Sequence, residues 1–169
     1  MGTRNPRRSR VFFEKIIMLY ICHRANIDKK DINTENRPQK INYCIGLGYD
    51  VEIDVRYINS EWWLGHDVPQ YKVSFGWINK LSRKLWIHCK NYQCLFKCDK
   101  NWNYFWHDQD DYTITSNGFI WSYPGSELNH RCIAVMPENV YYSINNLSVA
   151  HGICSDNIEY YQNLLKEKL

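Results

Sequence analysis

Long uncharged apolar runs are missing from this sequence. The apolar stretch Val11–Cys22 is interrupted by Glu14 and Lys15 and is too short to span a bilayer. No secretory-type leader is expected from the residues at the start, and the Met-Gly pair fails the myristoylation pattern because position 6 is Pro. There is no internal repeat, and no low-complexity segment beyond a basic N-terminal arm. A large charge excess is also lacking. The net charge is +3, and residues Met1 to Arg10 carry four arginines and no acid. Without the arm (residues 1–14) the chain is close to neutral, so no nucleic-acid footprint is expected. A flexible tail is the expected state of the arm, with contact to an anionic surface as the alternative. Seven cysteines make an odd count, and several lie in apolar, strand-like runs. Free buried thiols in a reducing compartment explain them better than a disulfide framework, so the expected location is cytoplasmic.

Aromatic side chains are abundant: 13 Tyr, 7 Trp and 6 Phe in 169 residues. A chain of this length fits one domain, expected over residues 15–169, and large rings can fill a small core. Short, bounded, β-rich runs recur at Ile16–Cys22, Tyr49–Val55, Trp62–Gly65, Leu85–Ile87, Tyr104–Trp106, Tyr112–Thr115, Ile133–Met136 and Gly152–Cys154. They read as strands buried on both faces. Helices are expected over Gln39–Leu47, opened by Pro38, and over Ser74–Arg83, Asn91–Cys98 and Asn157–Lys168. Strands alternating with helices give a parallel sheet. Eight strand candidates give the expectation of a compact α/β fold, a (β/α)8 TIM-like barrel. Such a barrel usually takes about 250 residues, so several crossover helices must be reduced or missing. An incomplete barrel or an open sheet is the alternative.

In parallel barrels the chemistry gathers at the C-terminal ends of strands. Those ends carry His23-Arg24, Glu52 with Asp54, His66-Asp67, His88 with Lys90, and Ser155-Asp156. Glu52 and Asp54 are two residues apart, so they point to one side of a strand. Two inward carboxylates are costly unless a positive group joins them, and Mg²⁺ or Ca²⁺ would supply that charge. A surface-facing edge strand is the alternative.

The string Cys22-His23-Arg24-Ala25, then Glu35-Asn36, Glu52-Ile53-Asp54-Val55 and Gly65-His66-Asp67, resembles the glycerophosphodiester phosphodiesterase family of the phosphatidylinositol-phospholipase-C-like barrel superfamily. Gly152-Ile153-Cys154-Ser155-Asp156 is similar to that family's final-strand motif. The resemblance spans residues 18 to about 158. It implies hydrolysis of a phosphodiester with His23 and His66 as the acid–base pair. It further implies that Arg24 and Lys90 bind the phosphate and that Glu52 and Asp54 hold a divalent cation, with Glu35, Asp67 and Asp156 supporting them at the same rim. The implied substrate is a glycerophosphodiester or a similar small headgroup.

Two positions depart from the family pattern. Ala25 stands where the family has Gly, a modest change at negative φ. The family's E-x-K on strand four reads His88-Cys89-Lys90 here, which puts His88 at the third ligand position and shifts preference towards Mn²⁺ or Zn²⁺. The alternative function is a catalytically silent barrel that binds a phosphorylated ligand or a protein partner. The segment His88-Cys89-x4-Cys94-x3-Cys98, with His107 beyond, also admits a zinc-site reading. It has no C-x2-C knuckle, and Cys94 and Cys98 fit a packed helix face better. The aromatic and acidic stretch Trp102–Tyr123 either shapes the rim or fills the core.

Overall fold

A computed structural model describes residues 18–166 of the chain. The basic arm at residues 1–14 lies outside the described residues. The strands are β1 (Leu19–His23), β2 (Asp50–Ile58), β3 (Glu61–Leu64), β4 (Tyr71–Val73), β5 (Leu85–Cys89), β6 (Asn103–Phe105), β7 (Tyr112–Ile114), β8 (Ile120–Ser122), β9 (Cys132–Val135) and β10 (Gly152–Ser155). The α-helices are α1 (Pro38–Gly46), α2 (Phe75–Leu81), α3 (Tyr92–Lys97), α4 (Ile144–Ser148) and α5 (Ile158–Lys166).

The expected (β/α)8 barrel does not form. Parallel pairing runs β6-β5-β2-β1-β10-β9-β8, whereas β3, β4 and β7 join by antiparallel pairing. Among the described residues β4, β6 and β7 each pair with a single strand, so the sheet does not close and remains a curled half-barrel. The reason is chain length. Among the described residues, helices occupy the crossovers into β2, β5, β6 and β10, while the stretch from β6 to β9 contains no helix. Two expected barrel strands have another role. The run at Trp62–Leu64 folds back on β2, and the run at Tyr112–Ile114 folds onto β8.

Side-chain alternation divides the core in two. Outward strand residues Val51, Ile53, Val55 and Ile87 form the larger cluster with Ile41, Leu147 and Leu165 of the helices. Inward residues Ile21, Trp86, Phe105, Trp121, Ile133, Val135 and Cys154 fill the concave face. There the rings of Phe105 on β6 and Trp121 on β8 approach to 4.7 Å between centroids, and Trp86 and Trp121 to 5.6 Å. These contacts hold the curl where no ladder closes the sheet. The aromatic stretch is thus divided: Trp102, Phe105 and Trp121 are buried, while Trp106 is exposed.

Local chemistry explains the helix starts. Pro38 occupies the first turn of α1, where its missing N–H costs nothing. Ser74 and Asn91 cap α2 and α3 by accepting the backbone N–H of Trp77 and Cys94. No helix among the described residues is long and apolar enough to cross a membrane.

Candidate active site

The site sits at the C-terminal ends of β1, β5 and β10 and at the middle of β2, and is built by register. His23 on β1 lies beside Glu52 on β2, and Asp54 on β2 lies beside His88 on β5. Glu52 and Asp54 share the inner face, and both are fully or almost fully buried. His88 Nδ1 is 3.2 Å from Asp54 Oδ1 and 3.8 Å from Glu52 Oε1, and its ring stacks on Phe105. The edge-strand alternative for Glu52 and Asp54 therefore fails.

His23 and His66 each meet a carboxylate. His23 Nδ1 meets Asp156 Oδ1 at 2.8 Å, and its Nε2 lies 4.0 Å from Glu52 Oε2. His66 Nδ1 faces both oxygens of Asp54 at 3.2 Å. The Arg24 side chain runs between the groups: Nη1 donates to Glu35 Oε2 at 3.3 Å, Nη2 contacts His66 Nε2 at 3.2 Å, and Nε lies 3.1 Å from Asp54 Oδ2. The Arg24 backbone N–H donates to Glu52 Oε2. Lys90 Nζ stands 3.8 Å from Asp54. Asp67 reaches the site only at its margin, 3.6 Å from His66 Nε2 and with its side chain 90% exposed.

Burial and neighbours set the charges. Burial raises Glu52 above the usual carboxylate range and the Asp54 charge adds to this, against His23 and His88. Asp54 is also penalised by burial, but hydrogen bonds from His66 and His88 and the nearby Arg24 charge hold it well below that range. Burial opposes charge on His23, yet the Asp156 hydrogen bond and Glu52 together raise it above the ordinary value. Asp156 is lowered: burial acts against it, and the His23 and Asn26 hydrogen bonds prevail.

Four contributors had no role assigned from the sequence, although Asn36 and Gly65 stand in its motifs. Asn26 donates to Glu35 and Asp156, joining the β1 loop to β10. Asn36, at φ +58, donates to Asp54 Oδ2 and accepts the Asp54 backbone N–H. Arg56 donates to the carbonyls of Gly65, His66 and Asp67, pinning the loop that presents His66. The period of two that pairs Glu52 with Asp54 also reaches Arg56, so this residue was within reach of the sequence pattern. Gly65 has φ +142, and a Cβ there would come 2.1 Å from the Val68 carbonyl oxygen, so only Gly fits. Ala25 corrects an expectation. Its φ is +66, not negative, so this Ala occupies the left-handed region that favours Gly.

The open space is a trough. A cavity of about 510 Å³ is bordered by His23, Glu52, His66, His88, Lys90 and the His107–Tyr123 stack, whose ring centroids are 3.6 Å apart. A second cavity of about 450 Å³ shares Arg24, Lys30 and His66 with it. Both volumes suit a small ligand. The donor set of Glu52, Asp54 and His88 lies within 4.8 Å, which fits a divalent cation. Comparison with protein-family models, curated proteins and solved structures returns no match.

Proposed function

We propose that the chain is a metal-assisted phosphodiesterase acting on a small phosphodiester of the glycerophosphodiester type. The observation that carries this reading is the different setting of two imidazoles at one trough. An arginine has only protons to give, so the His66 nitrogen that meets Arg24 Nη2 is the one bearing a lone pair. Its other nitrogen then donates to Asp54. This is the arrangement of a general base. His23 has a carboxylate opposite each ring nitrogen, Asp156 and Glu52, the surroundings that favour an imidazolium. This is the arrangement of a general acid.

In the proposed step the attacking hydroxyl, either the substrate's own or that of water, takes the place of Arg24 Nη2 at His66 Nε2, which accepts its proton as the oxygen bonds to phosphorus. The bond from phosphorus to the leaving oxygen breaks, and His23 Nε2–H protonates that oxygen. Arg24 is engaged by Glu35, Asp54 and His66, so Lys90 and Lys30 are the freer cations to meet the phosphoryl oxygens. Glu52, Asp54 and His88 would hold the divalent cation, which supplies further positive charge at the phosphoryl group when bound. The order of the His23-Arg24, Glu35-Asn36, Glu52–Val55 and Gly65–Asp67 motifs supports the glycerophosphodiester class.

The test is hydrolysis of glycerophosphodiesters and an aryl phosphodiester by metal-stripped protein given Mg²⁺, Ca²⁺, Mn²⁺ or Zn²⁺, beside His23→Ala and His66→Ala. Metal-dependent turnover that falls by about 10²–10⁴ in each variant is expected. No turnover with any metal from folded protein would instead indicate a half-barrel that binds a phosphorylated ligand without cleaving it.

A further inference from the structure

On the opposite face of β5 from His88, three cysteines converge. Cys89 ends β5, Cys94 lies in α3, and Cys98 follows the last turn of that helix. Their sulfurs all lie within 4.8 Å of one another, and Cys89 Sγ and Cys98 Sγ are 3.6 Å apart. With Zn–S bonds of about 2.3 Å, the edge of a tetrahedral zinc thiolate site is about 3.8 Å, so little movement is needed to place an ion among them. We propose that Cys89, Cys94 and Cys98 form a second metal site, distinct from Glu52, Asp54 and His88, that takes a thiophilic cation, with Zn²⁺ as the fitting ion.

Three observations support this beyond the distances. The donor set is sulfur alone, and soft thiolates select zinc or copper(I) over the hard cations suited to carboxylates. The frame is fixed before any ion arrives. Asn91 Oδ1 accepts the backbone N–H of both Cys94 and Tyr57, and Asn91 Nδ2 donates to the Tyr57 carbonyl, which fastens the start of α3 to β2. The Cys98 backbone N–H donates to the Cys94 carbonyl, which sets the third sulfur at the helix end. Finally, Cys89 and Cys94 are buried while Cys98 is partly exposed, so an ion can enter at Cys98 and keep water as its fourth ligand. His107 does not take part: it stacks on Tyr123 at the trough. The two sites share no ligand because successive residues of a strand point to opposite faces.

The experiment uses reduced, metal-stripped full-length chain titrated with Co²⁺, the spectroscopic stand-in for Zn²⁺. The expected result is near-ultraviolet thiolate-to-cobalt charge transfer that saturates at one ion per chain and is bleached by Zn²⁺. It should persist in Asp54→Asn, which impairs the carboxylate site, and disappear in Cys94→Ser and in Cys98→Ser. Cys98 is partly exposed, so Cys98→Ser should keep the wild-type circular dichroism. Alkylation followed by mass spectrometry gives a second readout, with Zn²⁺ expected to protect Cys89, Cys94 and Cys98. Absence of the charge-transfer band, or its survival in both serine variants, would overturn the proposal. So would a Cys89–Cys98 disulfide whose reduction yields no cobalt binding.

Discussion

Asn36 grips Asp54 at two points, donating its amide to Oδ2 at 3.0 Å and accepting the Asp54 backbone N–H on its own oxygen at 2.9 Å. The carboxylate at the centre of the site is therefore held before any ligand arrives. Asn36→Gly tests the grip alone, because Gly tolerates the φ of +58. It leaves a buried carboxylate one donor short and should destabilise the fold by about 1–3 kcal/mol, read from chemical denaturation. An unchanged midpoint would mean that the grip adds nothing.

The loop bearing His66 depends on Gly65 and Arg56. Gly65→Ala forces the loop away from Val68, and Arg56→Ala removes the donor to three successive carbonyls. A misplacement near 1 Å can cost about 10²-fold in rate, so kcat for phosphodiester hydrolysis should fall by about that factor in either variant. Circular dichroism should show the remainder of the fold retained.

His88→Glu introduces a third carboxylate beside Glu52 and Asp54. Without metal the variant should melt earlier than the parent, because like charges crowd a buried site. With metal, the thermal shift should favour Mg²⁺ and Ca²⁺ over Mn²⁺ and Zn²⁺ relative to the parent. Equal ion preference in the two proteins would remove His88 from the ligand set.

The His23–Asp156 pair predicts a pH dependence of stability in metal-free protein. His23 is raised above its ordinary 6.5 in the fold, so its contribution is complete below that value. It is lost as pH climbs through the higher folded-state value. Asp156 is lowered from 3.8, so its contribution holds above that value and is lost as pH falls through the lower folded-state one. Melting temperature should therefore drop on the alkaline side of 6.5. Asp156→Asn should flatten that drop.

Much of the site was legible because it rests on period-two alternation and strand ends, both local properties. Glu52 and Asp54 could be assigned to one face, and the boundaries of α1, α2 and α3 follow from Pro38, Ser74 and Asn91. Sheet closure was not legible. Whether Trp62–Leu64 runs along β2 or against it depends on the turn at Asn59 and Ser60, both at positive φ, and not on the strand's own residues. β4 and β8 are three residues each, too short for a pattern to register. The three-cysteine cluster was visible as a spacing but set aside, because it has no C-x2-C knuckle and a packed helix face explained Cys94 and Cys98 as well. Its spacing spans a strand end and a helix, and only folding brings Cys89 against Cys94 and Cys98.

β2 is nine residues long, and its two halves do different work: the first lies between β1 and β5, and the second carries the hairpin to β3. Two of the three proposed cation ligands, the arginine that steadies the loop and the proposed base thus belong to one unbroken stretch from Asp50 to Tyr71. That stretch is a cassette. Grafted onto another parallel sheet it would carry Glu52, Asp54, Arg56 and His66 together, whereas a graft of the His66 loop alone would arrive without the strand that aims it.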